Sequence, residues 1–469
     1  MQSLRTKAAR IRIFAGLCWL YTCIHLDRQI LAILAESVKS DLRISDASLG
    51  ALTGSAFSIV YALLGLYFGR VADVADRLAL VRVGAWVWSL ASVSAAFAPG
   101  YALLVAARAG VAAGEAIATA AAVSLMAELA GERYRARASS VFFACAFLGA
   151  GLAAILGGAV VDYFRGSTGM AGWRAALVAA GIPGLLGAAY LSFYRWEDIR
   201  PDESVRIGGS AALTMILVTA SLLAVVVQMS WPPNRGVPAA VLLAGGAAAY
   251  WTYRLRRDAA ASFRATLGQS SFRWLLAAFA AVLFLDVAAS FWLIPFAQRR
   301  FGLGAATAGA TLGGLMIAGG IAGSVIGGYV ADRWRLRTAA GRVWTALIAV
   351  VAESAAILLA VMQSDYRLFL LAFCGFCLAS GGWTGVAAAV GMDIVPRAHR
   401  GTGAAAYFLV TTVLGAGLGA WAAGMFGDAL GSVNKGLSAS SVVALMAVAA
   451  FVRLGHIVSK AAPDCSARG

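Results

Sequence analysis

The sequence predicts an all-α polytopic membrane protein built from two related six-helix bundles. Hydrophobic residues make up 61% of the chain and charged residues 13%, whereas soluble domains average about half apolar and about a quarter charged. Apolar runs of about 20 residues, the length that crosses a bilayer as a helix, recur along the chain. Sequence motifs of the first half also recur in the second half in the same order. These observations exclude a sizeable soluble domain.

The apolar runs fall into groups of six, two and six. They lie at roughly 11–37, 47–69, 79–97, 100–127, 137–163 and 173–194, then 208–229 and 237–253, then 272–298, 305–330, 341–362, 366–391, 401–426 and 438–458. A turn-forming segment with two prolines joins the middle pair. We interpret that pair as an extra transmembrane hairpin, with a surface-lying insertion as the alternative. The expected domains are a first bundle at 1–194, a cytoplasmic linker with the hairpin at 195–271, and a second bundle with its tail at 272–469.

An internal repeat relates the two sets of six. Gly50, Gly54, Gly69, Val71, Ala72 and Asp73 recur, at one constant separation, as Gly309, Gly313, Gly328, Val330, Ala331 and Asp332. The segment 148–152 recurs as 414–418 at a slightly longer separation. Parallel repeats of this kind are typical of the major facilitator architecture, in which the halves rock around a substrate site near the bilayer midplane.

The distribution of basic residues argues against nucleic acid as a partner. The net charge is +16, from 38 Lys and Arg against 22 Asp and Glu. If the N-terminus is cytoplasmic, most of the Lys and Arg lie in cytoplasmic segments, which is the positive-inside pattern. Basic clusters beside helix ends are suited to contacting anionic membrane lipids. We expect a monomeric, multi-pass protein of a bacterial inner membrane with both termini in the cytoplasm.

No cofactor or metal site is expected from the histidines and cysteines. His25, His399 and His456 are scattered and lack metal-ligand spacing. Cys374 and Cys377 have the CxxC spacing of redox or metal sites, but they lie in the middle of an apolar run, so we interpret them as packing residues. A membrane-embedded enzyme would need such a cluster or a nucleophile–base pair, and a transporter is therefore favoured over an enzyme.

Four charged residues in the first bundle form the candidate site. Asp27 and Arg28 are adjacent within an apolar stretch, where each charge costs about 2.5–3.5 kcal/mol on insertion scales. Arg108 and Glu115 lie about two helical turns apart in the fourth span, and so face nearly the same side of their helix. A structural ion network is the alternative, but buried ion pairs stabilise poorly. Intramembrane charges more often mark ion or substrate pathways.

A second set of acidic residues lies in the second bundle. Asp286 is the repeat partner of Asp27, while Val287 stands where the repeat would place a counterpart of Arg28. We interpret Asp286 as a candidate second proton-coupling residue, with a hydrogen-bonded structural acid as the alternative. Glu353 is also intramembrane, and both transport and packing against the extra hairpin remain open for it.

The loop after the second span resembles the signature of the major facilitator superfamily, Gly-x-x-x-Asp-(Arg/Lys)-x-Gly-(Arg/Lys). The matching residues are Gly69, Asp73 and Arg77, with a second copy at Gly328, Asp332 and Arg333. We expect the glycine to permit close packing, the carboxylate to meet a helix N-terminus, and Arg77 to pair with a carboxylate such as Glu128, which together would form a cytoplasmic gate. Val74 and Asp76 depart from the signature and predict a weaker or differently paired gate.

A more specific resemblance covers the first 194 residues densely and the remainder loosely. The combination of Asp27-Arg28, Phe57 and Tyr61, the 69–77 loop, Arg108 with Gly114-Glu115-Ala116, and the 130–137 segment resembles the Spinster family. The resemblance implies a transporter of lysophospholipids or sphingoid lipids, with proton coupling in bacterial members. It also implies that Asp27 and Glu115 titrate, and that Arg28 and Arg108 hold a carboxylate in one state and a substrate phosphate in another.

The chemistry of these residue types is consistent with those roles. The planar guanidinium of arginine donates two parallel hydrogen bonds to a phosphate. One proton moved across 100 mV provides about 2.3 kcal/mol, which corresponds to a bias of roughly fifty-fold. We expect a proton-coupled, alternating-access transporter of a lysophospholipid or similar amphipathic anion. A major facilitator carrier of a small organic anion or drug is the alternative.

Overall fold

All regular structure in the described part of the chain is helical. The computed structural model describes residues 2–74, 76–165, 170–194, 267–395 and 400–461. The helices are α1 Gln2–Leu42, α2 Asp46–Thr53, α3 Ser55–Val74, α4 Arg77–Ala95, α5 Tyr101–Tyr163, α6 Gly172–Ser192, α7 Ser270–Phe301, α8 Ala305–Arg335, α9 Gly341–Met362, α10 Tyr366–Ile394, α11 Arg400–Val410, a π-helical segment Thr411–Ala416, α12 Gly417–Leu430, α13 Val433–Ser440 and α14 Val443–Ala461. The all-α prediction is confirmed.

Twelve stretches of the described residues are long and apolar enough to cross a membrane. α2 and α3 together form one of them, Asp46–Gly69, and the long α5 contains two, Tyr101–Ala130 and Ala138–Tyr163. Six stretches precede residue 195 and six follow residue 266, as the sequence predicts. The extra hairpin predicted at 208–253 lies outside the described residues, and the twelve spans give it no support.

The chain divides into two compact units. Among described residues, the first unit contains those up to 44, those from 56 to 194, and 303–314. Within it α1 packs chiefly on α5, and α4 packs on α5 and α6. The indole rings of Trp88 and Trp173 are fully buried in this packing. The first unit therefore encloses a continuous apolar core around α5.

The second unit contains 45–55, 267–302 and 315–461 of the described residues. Here α7 packs on α14, on α12 and on the π-helical segment, while α9 packs on α10 and α14. Its apolar core includes Phe272, Phe279, Val350, Trp383 and Phe451. The short helix α2 belongs to this unit and packs on α12.

The internal repeat appears as matching backbone contacts, one in each unit. In the second unit Gly50 lies against the backbone of Ala420, and in the first unit Gly309 lies against the backbone of Ala154. A Cβ atom at either glycine would overlap a carbonyl group of the facing helix. Gly50 and Gly309 are repeat partners, and so are Ala154 and Ala420. The repeat therefore preserves a contact and not only a sequence.

A carboxylate caps the helix start beside each of these contacts. In the second unit Asp428 accepts hydrogen bonds from the first two backbone N–H groups of α2, at 3.1 and 2.8 Å. In the first unit Asp162 accepts one from the N–H of Ala306 at 2.8 Å. Such carboxylates satisfy unpaired N–H groups at the positive end of a helix. Asp46 adds a two-pronged ion pair with Arg299, at 2.8 and 2.9 Å.

Candidate functional site

Four charged side chains meet inside the first unit as two ion pairs. Arg108 Nη1 donates to Asp27 Oδ2 at 2.8 Å, and Arg28 Nε donates to Glu115 Oε2 at 2.5 Å. α1 supplies the adjacent residues Asp27 and Arg28, while α5 supplies Arg108 and Glu115. The structure therefore brings together the four residues that the sequence singles out. We call Asp27–Arg108 the inner pair and Arg28–Glu115 the outer pair.

The two pairs differ in accessibility. Asp27, Arg108 and Glu115 are buried, whereas 29% of the Arg28 side chain is exposed. The second carboxylate oxygen of Asp27 also accepts a hydrogen bond from the hydroxyl of Ser92 on α4. Asp27 is thus satisfied at both oxygens and sealed from solvent. Of the four charged groups, Arg28 is the one that an entering molecule can reach.

The outer pair has hydrogen-bonding capacity that the protein does not use. Arg28 Nη2 and Glu115 Oε1 are buried atoms without a hydrogen-bond partner. Leaving a buried polar group unpaired costs about 1–3 kcal/mol, and more for a charged group. The inner pair also leaves one such atom, Arg108 Nε, but both oxygens of its carboxylate are satisfied, whereas the carboxylate of the outer pair is not. The arrangement is therefore better suited to exchanging partners than to stabilising the fold.

Two aromatic rings of α3 hold the arginines. The guanidinium carbon of Arg28 lies 4.4 Å from the ring centre of Tyr61 and 5.1 Å from that of Phe57. The guanidinium carbon of Arg108 lies 5.4 Å from the ring centre of Phe57. Cation–π contacts of this kind contribute about 0.5–2 kcal/mol each, with the larger values away from water. Phe57 and Tyr61 therefore orient both cations and give the site an apolar wall.

A glycine contact fixes the position of Glu115. The preceding residue, Gly114, lies so close to α4 that a Cβ atom there would overlap the backbone nitrogen of Trp88. Gly84 on α4 makes the reciprocal approach to the Gly114 carbonyl. Small residues at both positions let the two helix backbones touch. The contact fixes the position of α5 against α4 at the residue that precedes Glu115.

The motif loop forms local contacts at the end of the first unit's helices. Arg77 Nη1 donates to Glu128 Oε2 at 2.6 Å, which is the partner expected from the sequence, and Arg77 Nε donates to the carbonyl of Ala72 at 2.9 Å. Asp76, which replaces the signature glycine, caps α4 by accepting a first-turn backbone N–H at 3.0 Å. The side chain of Asp73 lies outside the described part. The role of this loop as a gate stays a prediction.

The second copy of the motif uses a cation from another helix. Arg342 at the start of α9 donates to Asp332 at 2.7 Å and to Asp393 at 3.0 Å. Arg335 reaches Asp393 at 3.3 Å, and Arg333 is exposed. Arg342 therefore ties together α8, α9 and α10 at one end of the second unit. The sequence did not single out Arg342 or Asp393, because neither belongs to the signature.

The signature glycines make no close contact within either unit. A Cβ atom at Gly69 or at Gly328 would meet no atom of the described residues within 4 Å. The close packing expected at these positions stays a prediction. Close approach occurs instead at other glycines of the repeat, Gly50 and Gly309.

Asp286, the repeat partner of Asp27, lies in a different setting. It belongs to the second unit, where it accepts a hydrogen bond from the hydroxyl of Ser380 at 2.5 Å. No ion pair of Asp286 is found in the described part of the chain. Its role in proton coupling stays a prediction.

Characterised proteins with similar sequences include transporters. An MFS-type efflux pump of Mycolicibacterium smegmatis is 26% identical over 436 residues, covering 92% of this chain and 88% of the pump. Human protein spinster homolog 1 is 32% identical over 152 residues, covering 32% of this chain and 29% of that protein. The first similarity covers most of both chains, and the second covers less than a third of either chain.

The fold resembles that of a solved bacterial homolog to the human lysosomal transporter Spinster, in an inward-facing and unoccupied conformation. The two structures match with a TM-score of 0.75 over 96% of this chain and 98% of the other. At 20% identity this likeness shows the fold alone. The family model of the Major Facilitator Superfamily matches residues 17–420. The chain thus belongs to the major facilitator superfamily, and is a multi-pass secondary transporter rather than an enzyme.

Proposed function

We propose that the chain is a proton-coupled transporter of a lysophospholipid or a similar amphipathic anion. The observation that carries this proposal is the outer pair, in which an accessible arginine is held by a buried carboxylate with hydrogen-bonding capacity to spare. The apolar wall of Phe57 and Tyr61 beside it is suited to the non-polar part of such a molecule. The membrane location and transporter class follow from the family.

Protonation of Glu115 is the proposed coupling step. The ion pair depends on the negative charge of the carboxylate, so a proton on Glu115 removes most of the attraction that holds Arg28. Arg28 then becomes available to another anion. Glu115 is buried and Arg28 is partly exposed. The anion can therefore reach Arg28, where it takes the place of the Glu115 carboxylate.

The geometry of Arg28 favours a phosphate as that anion. Its Nε–H and Nη2–H groups lie along one edge of the guanidinium, and only Nε is occupied, by a single oxygen of Glu115. A phosphate can present two oxygens to the same edge and form two parallel hydrogen bonds. The exchange therefore replaces one hydrogen bond with two.

The inner pair has a supporting role in this scheme. Asp27 is proposed as the second titrating carboxylate, and Arg108 as its counter-ion. Because Asp27 is sealed by Arg108 and Ser92, we expect it to respond after Glu115. Asp27 and Arg28 are neighbours on α1, so a change in the partner of one alters the electrostatic field at the other.

The lipid class rests on the resemblance to the Spinster family and on the partial similarity to spinster homolog 1. The second candidate is export of a small organic anion or drug. The similarity to an efflux pump over 92% of the chain favours that candidate. Both substrates require an anion to reach Arg28, so the outer pair has the same role in each.

Both ends of the described chain are proposed to face the cytoplasm of a bacterial cell. The twelve spans found among the described residues are an even number, which supports having both ends on the same side of the membrane. The basic residues that precede the first span and flank the later cytoplasmic loops orient that side inward. The bacterial pump among the similar proteins is consistent with an inner-membrane location.

Transport into liposomes tests the proposal. Purified protein is reconstituted with an imposed pH gradient, and uptake of radiolabelled lysophosphatidylglycerol is compared with uptake of an anionic dye. We expect lysolipid uptake that stops when a protonophore collapses the gradient, and Glu115→Gln is expected to transport without dependence on pH. Asp365→Asn is the control, because Asp365 caps α10 and asparagine also caps helices.

Two results would contradict the proposal. Unchanged gradient-driven transport with both Asp27→Asn and Glu115→Gln present would remove these carboxylates from the coupling mechanism. Gradient-driven dye transport without lysolipid transport would favour the organic-anion exporter.

A further inference from the structure

Two acidic side chains of the second unit lie together without a cation. Asp286 on α7 and Glu353 on α9 are close enough to interact electrostatically, and their two helices pack against each other. Glu353 is 1% exposed, and both of its carboxylate oxygens are buried without a hydrogen-bond partner. No ion pair of either acid is found among the described residues. An unpaired buried carboxylate would be among the most costly groups in the protein.

The groups around the two acids are neutral. Ser380 on α10 donates to Asp286 at 2.5 Å. The Trp383 indole, also on α10, interacts with Glu353, yet its buried Nε1–H makes no well-formed hydrogen bond. Among the described residues, the thiol of Cys377 is a further titratable group that interacts with Asp286. A thiol, a hydroxyl and an indole cannot neutralise a negative charge.

Two ionised carboxylates cannot coexist at low cost in such a place. Each would lose its hydration, and the two would repel each other, which is the situation in which neighbouring carboxyl groups share a proton. We propose that Asp286 and Glu353 form a carboxyl pair that binds a proton within the second unit. This inference rests on the proposed proton coupling and gives the transporter a second proton site.

The internal repeat accounts for the difference between the units. The acid on the first helix of each half is retained, as Asp27 and Asp286, but the adjacent arginine of the first half is replaced by Val287. In the first unit arginines balance the acids. In the second unit a proton must do so, because valine cannot.

The exposure of the two acids indicates a path for the proton. Asp286 is partly accessible, whereas Glu353 is buried behind it. A proton from solvent reaches Asp286 first and passes to Glu353 across their contact. When the proton leaves, the Ser380 hydroxyl and the Trp383 indole are the hydrogen-bond donors available to the ionised carboxylates. Asp286 is thus the entry of the site and Glu353 its buried end.

The pH dependence of stability tests this site without any transport measurement. A folded state that retains a proton released by the unfolded chain loses stability as pH rises, up to about tenfold in the folding equilibrium per pH unit and proton. We expect the melting temperature of the wild type to fall more steeply, between about pH 5 and 8, than that of Asp286→Asn/Glu353→Gln. Asp365→Asn should match the wild type.

Infrared spectroscopy of the same proteins provides a second readout. The wild type should show the carbonyl band of a buried protonated carboxyl group at neutral pH. Asp286→Asn/Glu353→Gln should lack it, while Glu115→Gln should retain it. If the double variant folds poorly, Glu353→Gln alone should still change the band.

An unchanged band and an unchanged pH slope in the folded double variant would overturn the inference. So would stabilisation of the wild type by Na⁺ at fixed pH that the double variant lacks, because the acids would then bind a metal cation. Neither result tests the role of Glu115. If Glu115 proves not to couple transport in liposomes, the infrared carbonyl band of the Asp286–Glu353 pair is still expected. The two proposals can therefore fail separately.

Discussion

The substitution Arg28→Lys separates the proposed role of the outer pair from a structural one. Lysine keeps the positive charge of Arg28 but loses the planar edge with two donors. It also loses the stacked contact of the guanidinium on Tyr61, at 4.4 Å. The ammonium group can still pair with Glu115, which accepts only one hydrogen bond from Arg28. The variant should therefore fold, yet bind its anion poorly.

The magnitude follows from the hydrogen bonds involved. A phosphate on Arg28 would use Nε–H and Nη2–H, and a lysine would supply one of those two bonds. A hydrogen bond to a charged group contributes about 1.5–3 kcal/mol. We thus expect the apparent KM for a phosphate-bearing substrate to rise by roughly ten- to 150-fold, since about 1.4 kcal/mol is a factor of ten. The melting temperature should change little.

Arg108→Lys is the matched control. Arg108 forms the same kind of ion pair, but it is 1% exposed and its partner Asp27 is sealed. Its replacement should lower stability, because a buried pair with altered geometry leaves charge uncompensated. The measurement is the apparent KM of Arg28→Lys relative to that of Arg108→Lys in liposomes, with transport rates corrected for the amount of folded protein.

Equal loss of apparent affinity in the two variants would refute the reasoning, because it would mean that accessibility does not distinguish Arg28. An Arg28→Lys variant with an unchanged KM would also refute it. A large fall in melting temperature for Arg28→Lys, with normal transport by the remaining folded protein, would assign the outer pair to stability.

Substitutions at four further residues test the supports of the site and of the repeat. Gly114→Leu should abolish folded protein in detergent, since even a Cβ overlaps α4; a normal yield would show that α4 and α5 do not touch there. Ser92→Ala should cost about 1–3 kcal/mol of stability by leaving an Asp27 oxygen unpaired, and an unchanged melting temperature would remove Ser92 from the network. Asp428→Ala and Asp162→Ala should each destabilise by about 0.5–2 kcal/mol while the asparagine variants lose less, and equal losses for alanine and asparagine would argue against capping.

The span arrangement and the repeat could be predicted because each can be recognised from the order of residues without knowledge of the tertiary contacts. A run of apolar residues identifies a span whatever its neighbours are, and Gly50 and Gly309 can be matched by position alone. The membership of the charge network was also predictable, because charges within apolar runs are rare and costly. Asp27, Arg28, Arg108 and Glu115 were recognised on that ground.

The pairing within the network could not be predicted in the same way. Which arginine meets which acid depends on the rotation and height of α1 against α5, and these are set by backbone contacts such as that of Gly149 on α5 with the Thr22 carbonyl on α1. Nothing in the sequence identifies Ser92 as a partner of Asp27, because a serine in an apolar helix is common. Asp162 and Asp428 lie at helix ends, where an acid is ordinarily solvated, although their equivalence in the repeat could have drawn attention to them.

The two units exchange short segments of chain. Residues 45–55, from the first half of the sequence, belong to the second unit, and residues 303–314, from the second half, belong to the first. A fragment that ends in the central linker would therefore lack the capped helix start that completes its own bundle. The halves should accumulate when they are expressed together as a split protein and be degraded when expressed singly, because each half supplies a segment that belongs to the other unit.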